Sequence, residues 1–113
     1  MVETNLNLSL LSELSEIMGD EMGMLIESYF EDSRLKIADL LNKDLGTQQE
    51  QIYKLAHSLK GSSRNVGVVE FSDYCEKIEK LARGGRLTRK DISTERLNTL
   101  FEGAEKALRE RYL

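Results

Sequence analysis

The sequence of 113 residues has no proline and no tryptophan, and it has only one cysteine and one histidine. A single cysteine, Cys75, excludes an internal disulfide framework and a zinc site built from several cysteines. One histidine without a second histidine or cysteine offers no usual set of metal ligands, so we expect no metal site. The absence of proline and the abundance of strong helix formers favour helices over strands or disorder.

Neither charge nor hydropathy points to a nucleic acid or a membrane. The formal net charge is −4 at pH 7, which argues against nucleic acid as the main partner. No apolar run is long enough to cross a membrane, and residues 1–5 lack the basic start and apolar stretch of a signal peptide. We therefore expect a soluble protein of a reducing compartment, the cytoplasm, with a single domain over residues 1–113. We also expect the protein to be a monomer.

Apolar residues recur at helical spacing in five segments, which predict five helices. Gly19 closes the first, short helix, and we expect Asp20 to cap a second helix that ends near residue 42 or 43. Gly46 then breaks the chain, and Thr47–Glu50 reads as a capping box that opens the third helix. The third helix is expected to stop at Asn65–Gly67, and Gly84–Gly85 ends the fourth.

The predicted core consists of the apolar residues of these five stripes. They are Leu8, Leu11, Leu14 and Met18; Met22, Leu25, Ile26, Tyr29, Phe30, Ile37, Leu40 and Leu41; Ile52, Leu55, Ala56 and Leu59; Phe71, Tyr74, Cys75, Ile78, Leu81 and Ala82; and Leu97, Leu100, Phe101, Ala104 and Leu108. Short loops between long stripes favour antiparallel neighbours. The predicted fold is therefore all-α, an antiparallel four-helix bundle with a short extra helix at the N-terminus.

The only histidine, His57, lies in the third helix on the side away from the apolar arc. At about 100° per residue it falls roughly 140° from the centre of that arc, with Lys60 at about 80° and Arg64 at about 120°. A lone histidine is more often a satisfied core residue or an incidental surface residue than a functional one. The wheel argues against the core role, and the two neighbouring cations argue against the incidental one. Lys60 and Arg64 could pair with a phosphoryl group on the His57 imidazole.

Gly61 also requires an explanation, because a glycine inside a helix costs about 0.5–1 kcal/mol relative to alanine. It falls at about 180° on the same wheel and so points outward beside His57. Close packing of two helices is one reason for such a glycine. Clearance is the more specific one, since a partner's active site can then approach the imidazole.

The segment Ala56–Gly61, continuing to Gly67, resembles the signature of the histidine-containing phosphotransfer (HPt) domain. Outside this motif, Gly19–Glu21 followed by Phe30–Asp32 resembles the first long helix of the family. Cys75–Arg83 resembles the helix that follows the phosphorylated one. The resemblance covers nearly all of the chain and indicates a free-standing module.

The resemblance implies a phosphocarrier of a two-component phosphorelay. His57 Nε2 would accept a phosphoryl group from the aspartyl phosphate of a receiver domain and pass it to another receiver. Lys60 would hold the phosphoryl oxygens, Gly61 would leave room for the receiver, and Gly67 would allow the turn that closes the helix. The partners would be receiver domains of a hybrid sensor kinase and of a response regulator. The chain itself would bind no cofactor, and Mg²⁺ would come with the receiver.

Other features of the sequence refine this expectation. No P-loop or glycine-rich phosphate cradle is present, so the chain should not phosphorylate itself from ATP. Tyr53, Ser58 and Arg64 are expected to contact the partner, with Tyr29 and Ser33 as candidates on the second helix. Cys75 lies on an apolar stripe and should be a buried, inert thiol.

Two other classes of function stay open at this point. The chain could be a helical adaptor that binds a response regulator without carrying phosphate, although an adaptor needs none of the His57, Lys60 and Gly61 set. It could also be an enzyme such as a phosphohydrolase that uses His57 as nucleophile or base. The enzyme hypothesis is the least favoured of the three, because it needs a second positioned acid or base and a pocket.

Overall fold

A computed structural model describes residues 5–113 of the chain. Residues 1–4 lie outside the described part, so the reading of the N-terminus as lacking a signal peptide rests on the sequence alone. The helices are α1 (Leu8–Met18), α2 (Met22–Leu41), α3 (Gln49–Asn65), α4 (Glu70–Arg83) and α5 (Thr94–Tyr112), with one 3₁₀ turn at Gly19–Glu21. The predicted antiparallel four-helix bundle with a short N-terminal helix is confirmed, with α3 and α4 as its most closely packed pair.

Apolar side chains from all five helices form one continuous core. Every residue of the predicted stripes is either buried in this core or packed against it. Full burial of a large aliphatic or aromatic side chain contributes about 1.5–3 kcal/mol, so the stripes explain why the helices associate. Cys75 is completely buried, and this burial raises the pKa of its thiol to about 12, which agrees with an inert thiol.

Two predicted N-terminal caps are wrong. Asp20 lies in the 3₁₀ turn, and α2 begins after Glu21 without a side-chain cap. At the start of α3, Gln48 occupies the cap position and its side chain makes no capping hydrogen bond. The Thr47 hydroxyl instead donates to Asp44 Oδ2 at 2.8 Å, so it is occupied in the turn that precedes the helix.

The turn between α3 and α4 depends on Gly67, whose φ is +73°. A Cβ atom at this position would lie 2.9 Å from Leu11 Cγ, which is closer than van der Waals contact allows. The Gly67 carbonyl accepts a hydrogen bond from the Asn7 amide at 2.7 Å, and the Val69 amide donates to the Asn5 carbonyl at 2.9 Å. The N-terminal segment is therefore pinned to the turn that ends the His57 helix.

No helix within residues 5–113 combines the length and the apolar character needed to span a membrane.

Candidate functional site

The His57 side chain lies on the outer face of α3, and 61% of its surface is exposed. Its helix buries Ile52, Ala56 and Leu59 on the opposite side, as the spacing of these residues predicts. The packing of α3 against the core therefore directs the imidazole outward and keeps its backbone on a rigid element.

A carboxylate on the neighbouring helix orients the imidazole ring. His57 Nδ1 lies 2.7 Å from Oε2 of Glu79 in α4, and Glu79 is only 5% exposed. The sequence analysis did not identify Glu79 as a site residue. The available indication was its position one turn after Cys75, which places a charged residue beside the apolar stripe of α4. A buried carboxylate normally has a partner, and here His57 is one of two.

Lys60 is the second partner of this carboxylate. Its Nζ lies 2.6 Å from Glu79 Oε1, and its side chain is only 18% exposed. Burial of the Glu79 carboxyl acts to raise its pKa, but the hydrogen bonds and charges of Lys60 and His57 outweigh burial. The pKa of Glu79 is therefore held below its ordinary value, and the group is a carboxylate at neutral pH.

An ionised carboxylate can only accept hydrogen bonds, so the Nδ1 atom of His57 must donate the proton in this contact. In a neutral imidazole that carries its proton on Nδ1, the lone pair that can attack an electrophile is on Nε2. The Glu79 contact thus selects the tautomer whose nucleophilic atom is on the side of the ring away from Glu79.

Gly61 lies on the surface of α3, and a Cβ atom built there would meet nothing within 4 Å. No packing contact inside the chain therefore requires a glycine at this position. The open space agrees with clearance for an approaching partner and not with a close helix crossing.

The helical wheel places Arg64 on the same side of α3 as His57, but in the structure its guanidinium is bonded to α4. Its guanidinium makes a hydrogen bond of 3.2 Å to Glu76 and a longer one of 3.5 Å to Asp73, both in α4. The two α4 carboxylates balance its charge, and within residues 5–113 no hydrogen bond joins Arg64 to His57.

Tyr53 lies one turn before His57, and the centroids of the two rings are 6.2 Å apart. The guanidinium carbon of Arg83 lies 5.6 Å from the Tyr53 centroid, a cation–π arrangement that links α4 to this side of the site. Ser58, on the other side, lies 2.7 Å from Lys36 Nζ, and that ammonium also bonds Asp32. Tyr53 therefore borders His57, whereas Ser58 follows it in the chain and its hydroxyl is bonded to Lys36 on α2.

The two contact candidates on α2 are wrong as exposed docking residues. Ser33 is completely buried, and Tyr29 is only 6% exposed. The Tyr29 hydroxyl is bonded to Ser63 Oγ at 2.6 Å, and burial raises its pKa far above the ordinary value. Both side chains therefore belong to the core.

Within residues 5–113 there is no group of three or more histidine, cysteine, aspartate or glutamate side chains that could hold a metal ion.

The chain is similar to known proteins in sequence and in fold. The model of the Hpt domain family matches residues 24–110 of the chain. The crystal structure of histidine-containing phosphotransfer protein B (HptB) from Pseudomonas aeruginosa PAO1 superposes with a TM-score of 0.87 at 30% sequence identity. The match covers 99% of this chain and 100% of that one. No curated protein matches the sequence at a significant level. The chain belongs to the Hpt domain family, and its function is histidine phosphotransfer in phosphorelays.

Proposed function

We propose that His57 is the residue that carries the phosphoryl group, and that Nε2 is the atom to which it is attached. The observation that carries this assignment is an exposed imidazole whose Nδ1 is held by the buried carboxylate of Glu79. His57 is also the only histidine in the sequence, so a histidine phosphotransfer function has no other acceptor in this chain.

The incoming step exchanges one bond to phosphorus for another. The Nε2 lone pair attacks the phosphorus of a receiver aspartyl phosphate, and the bond from phosphorus to the aspartate oxygen breaks. The electron pair of that bond leaves with the aspartate carboxylate, and the Nδ1 proton stays on the ring beside Glu79. This chemistry requires positioning and charge neutralisation more than a large catalytic apparatus. In this proposal the receiver supplies Mg²⁺, and this chain binds no cofactor.

Lys60 and Gly61 serve the transfer in different ways. Lys60 Nζ is anchored by Glu79 one turn from the imidazole, from where it can interact with phosphoryl oxygens. Gly61 adds no side chain to the surface over which the receiver closes. Both roles are proposed from the placement of these residues around His57.

The proposed partners are two receiver domains, one of a hybrid sensor kinase and one of a response regulator. They would dock on the exposed surface around His57, which includes Tyr53 and Ser58, with Arg64 at its far end. Transient signalling contacts of this kind bury little surface. We further propose that the chain acts as a cytoplasmic monomer.

The test is phosphoryl transfer from a radiolabelled receiver domain to the wild type and to His57→Gln. We expect acid-labile, alkali-stable label on the wild type and none on the variant. Circular dichroism should show the same helix content and melting for both, because the imidazole is exposed. Binding of receivers without label on the wild type, across the receivers of one genome, would contradict the proposal and support an adaptor.

A further inference from the structure

The lysines and arginines of the protein differ in whether a carboxylate balances their charge. Every lysine or arginine of α2 and α3 forms an ion pair with an acidic side chain; these cations are Arg34, Lys36, Lys54, Lys60 and Arg64. Within residues 5–113, no ion pair involves a lysine or arginine of α4 or of the segment between α4 and α5. Residues 80–90 hold five cations and no acidic residue, although the net charge of the whole chain is −4. We call these five exposed cations the basic end; they are Lys80, Arg83, Arg86, Arg89 and Lys90.

The backbone that carries the basic end is held in place by side chains around it. Leu87, in the middle of the segment, is only 3% exposed. Its amide donates to Gln49 Oε1 at 3.1 Å, and its carbonyl accepts from Gln49 Nε2 at 2.9 Å. The amide and hydroxyl of Thr88 both donate to Asp91 Oδ2, at 2.9 Å and 2.8 Å. The cations therefore project from an ordered segment, so a partner that binds them has less conformational entropy to remove.

The basic end is continuous with the surface around His57. The Tyr53 ring lies between the two, with the Arg83 guanidinium carbon 5.6 Å and the His57 ring 6.2 Å from its centroid. Lys80 lies three positions before Arg83, and so shares its side of α4. Even a small transient interface covers about 500 Å² on each partner, a patch roughly 25 Å across. One docked protein can therefore cover both His57 and part of the basic end.

The stability of the fold explains only part of this arrangement. Cations in the last turn of a helix interact favourably with its dipole, and Lys80 and Arg83 lie in the last turn of α4. That effect falls off beyond the last turn, so it does not explain Arg89 and Lys90. Like charges that share one surface repel each other. An acidic partner surface would remove this repulsion, which makes the basic end more useful for binding than for folding.

We propose that the basic end is a second contact surface for the receiver, and that it binds an acidic surface of the receiver domain while His57 faces the receiver aspartate. This inference rests on the proposed phosphorylation of His57 by receivers. The charge on the other side of His57 is different, because Asp73 and Glu76 balance Arg64 there. An uneven charge distribution of this kind fixes the orientation of a docked partner and favours receivers with a matching acidic surface.

The experiment reverses two charges of the basic end that lie after the last turn of α4. The variant is Arg86→Glu/Arg89→Glu, and Arg86→Lys/Arg89→Lys is the control that keeps both charges. A second control, Lys106→Glu/Arg111→Glu, reverses the same number of exposed cations on α5, which packs against α2 and α4. The second-order rate constant of labelling is measured for each protein with the radiolabelled receiver domains of one genome. Labelling by phosphoramidate, a small donor that requires no receiver, serves as the reference for the reactivity of the imidazole.

We expect Arg86→Glu/Arg89→Glu to be labelled by receivers about tenfold more slowly than the wild type at about 0.1 M salt, relative to labelling by phosphoramidate. The difference should shrink at about 1 M salt, where the Debye length falls to about 3 Å. A misfolded variant would not recover in this way. Both control variants should keep the wild-type rate. Poly-L-glutamate should inhibit transfer from a receiver to the wild type more strongly than transfer to Arg86→Glu/Arg89→Glu.

Three results would overturn the inference. The first is an equal rate for wild type and Arg86→Glu/Arg89→Glu with every receiver that labels the wild type. The second is an equal loss in Lys106→Glu/Arg111→Glu, or a loss that high salt does not reduce. The third is binding to phosphatidylglycerol vesicles that requires Arg86 and Arg89 while receiver transfer does not, since it would assign the basic end to a membrane surface. Absence of label on wild-type His57 would instead overturn the proposed function.

Discussion

Lys60 Nζ lies 2.6 Å from Glu79 Oε1, so the cation nearest to His57 along α3 is bound to the carboxylate that also holds the imidazole. The three side chains therefore form one unit across α3 and α4, with Glu79 at its centre. A phosphoryl group on His57 would bring more negative charge to this unit, and Lys60 is its only permanent cation. Removal of Lys60 should consequently affect the phosphorylated state more than the free protein.

We expect Lys60→Ala to slow phosphoryl transfer by about 10-fold to 150-fold, which corresponds to the roughly 1.5–3 kcal/mol of one hydrogen bond to a charged group. The transfer should persist, because His57 and Glu79 are still in place. Rapid-quench kinetics with a labelled receiver would measure the change. Lys43→Ala is the matched control, since Lys43 pairs with Asp39 outside the site. Equal rates for Lys60→Ala and Lys43→Ala would leave Lys60 without a role in transfer.

Gly61 offers a test of clearance that does not depend on the chemistry of the imidazole. A leucine at this position should impair transfer from a receiver by at least about tenfold, because its side chain occupies the surface over which the receiver closes. Labelling of Gly61→Leu by phosphoramidate should stay near the wild-type rate, since this donor is small. Gly61→Ala should stabilise the fold by about 0.5–1 kcal/mol, because a Cβ there meets no neighbour. Undiminished receiver transfer in Gly61→Leu would refute the clearance argument.

The helices, the core and the outward direction of His57 were predictable because each follows from the periodicity of one segment. A helical wheel describes a single helix, however, and the partners of Lys60 and Arg64 lie on α4. The Glu79 contact, which organises the site, was missed for this reason. Tyr29 was correctly predicted in the core, but it and Ser33 were wrong as contact candidates. Because α2 buries residues against more than one neighbouring helix, a helical wheel does not separate its buried positions clearly from its exposed ones.

The predicted capping box at the start of α3 was wrong for a local reason. Thr47 matched the spacing of a capping box, but its hydroxyl is bonded to Asp44 in the preceding turn. Competition between short polar side chains for nearby backbone and side-chain partners is not visible in spacing alone.

Gly67 should be intolerant of any side chain, for two separable reasons. Its φ of +73° costs a non-glycine residue about 1–2 kcal/mol, and a Cβ would also collide with Leu11 at 2.9 Å. Gly85 has a similar φ of +68° with nothing within 4 Å, so Gly85→Ala reports the cost of the backbone conformation alone. We expect urea denaturation to show a larger loss of stability for Gly67→Ala than for Gly85→Ala. Equal losses would mean that α1 yields to the added methyl group.

Glu79 should make the stability of the protein depend on acid. Its pKa in the folded state lies below its ordinary value of 4.5, because Lys60 and His57 outweigh the effect of burial. A depressed folded-state pKa means that the unfolded chain binds its proton more readily, so the stabilisation is present above the ordinary value and is lost as the pH falls through the folded-state value.

Urea denaturation of the wild type and of Glu79→Gln would measure this linkage. At neutral pH the wild type should be the more stable protein, because the variant leaves Lys60 without its carboxylate. The difference should shrink as the pH falls below 4.5 and through the lowered folded-state pKa of Glu79, because the protonated carboxyl of the wild type resembles the neutral amide. Glu76→Gln should show a smaller difference, since Glu76 is more exposed and its ion pair with Arg64 is screened by solvent. If the difference in the free energy of unfolding between wild type and Glu79→Gln stayed constant with pH, the ion pairs of Glu79 would contribute nothing to folding. The contribution of Glu79 would then be one of packing alone.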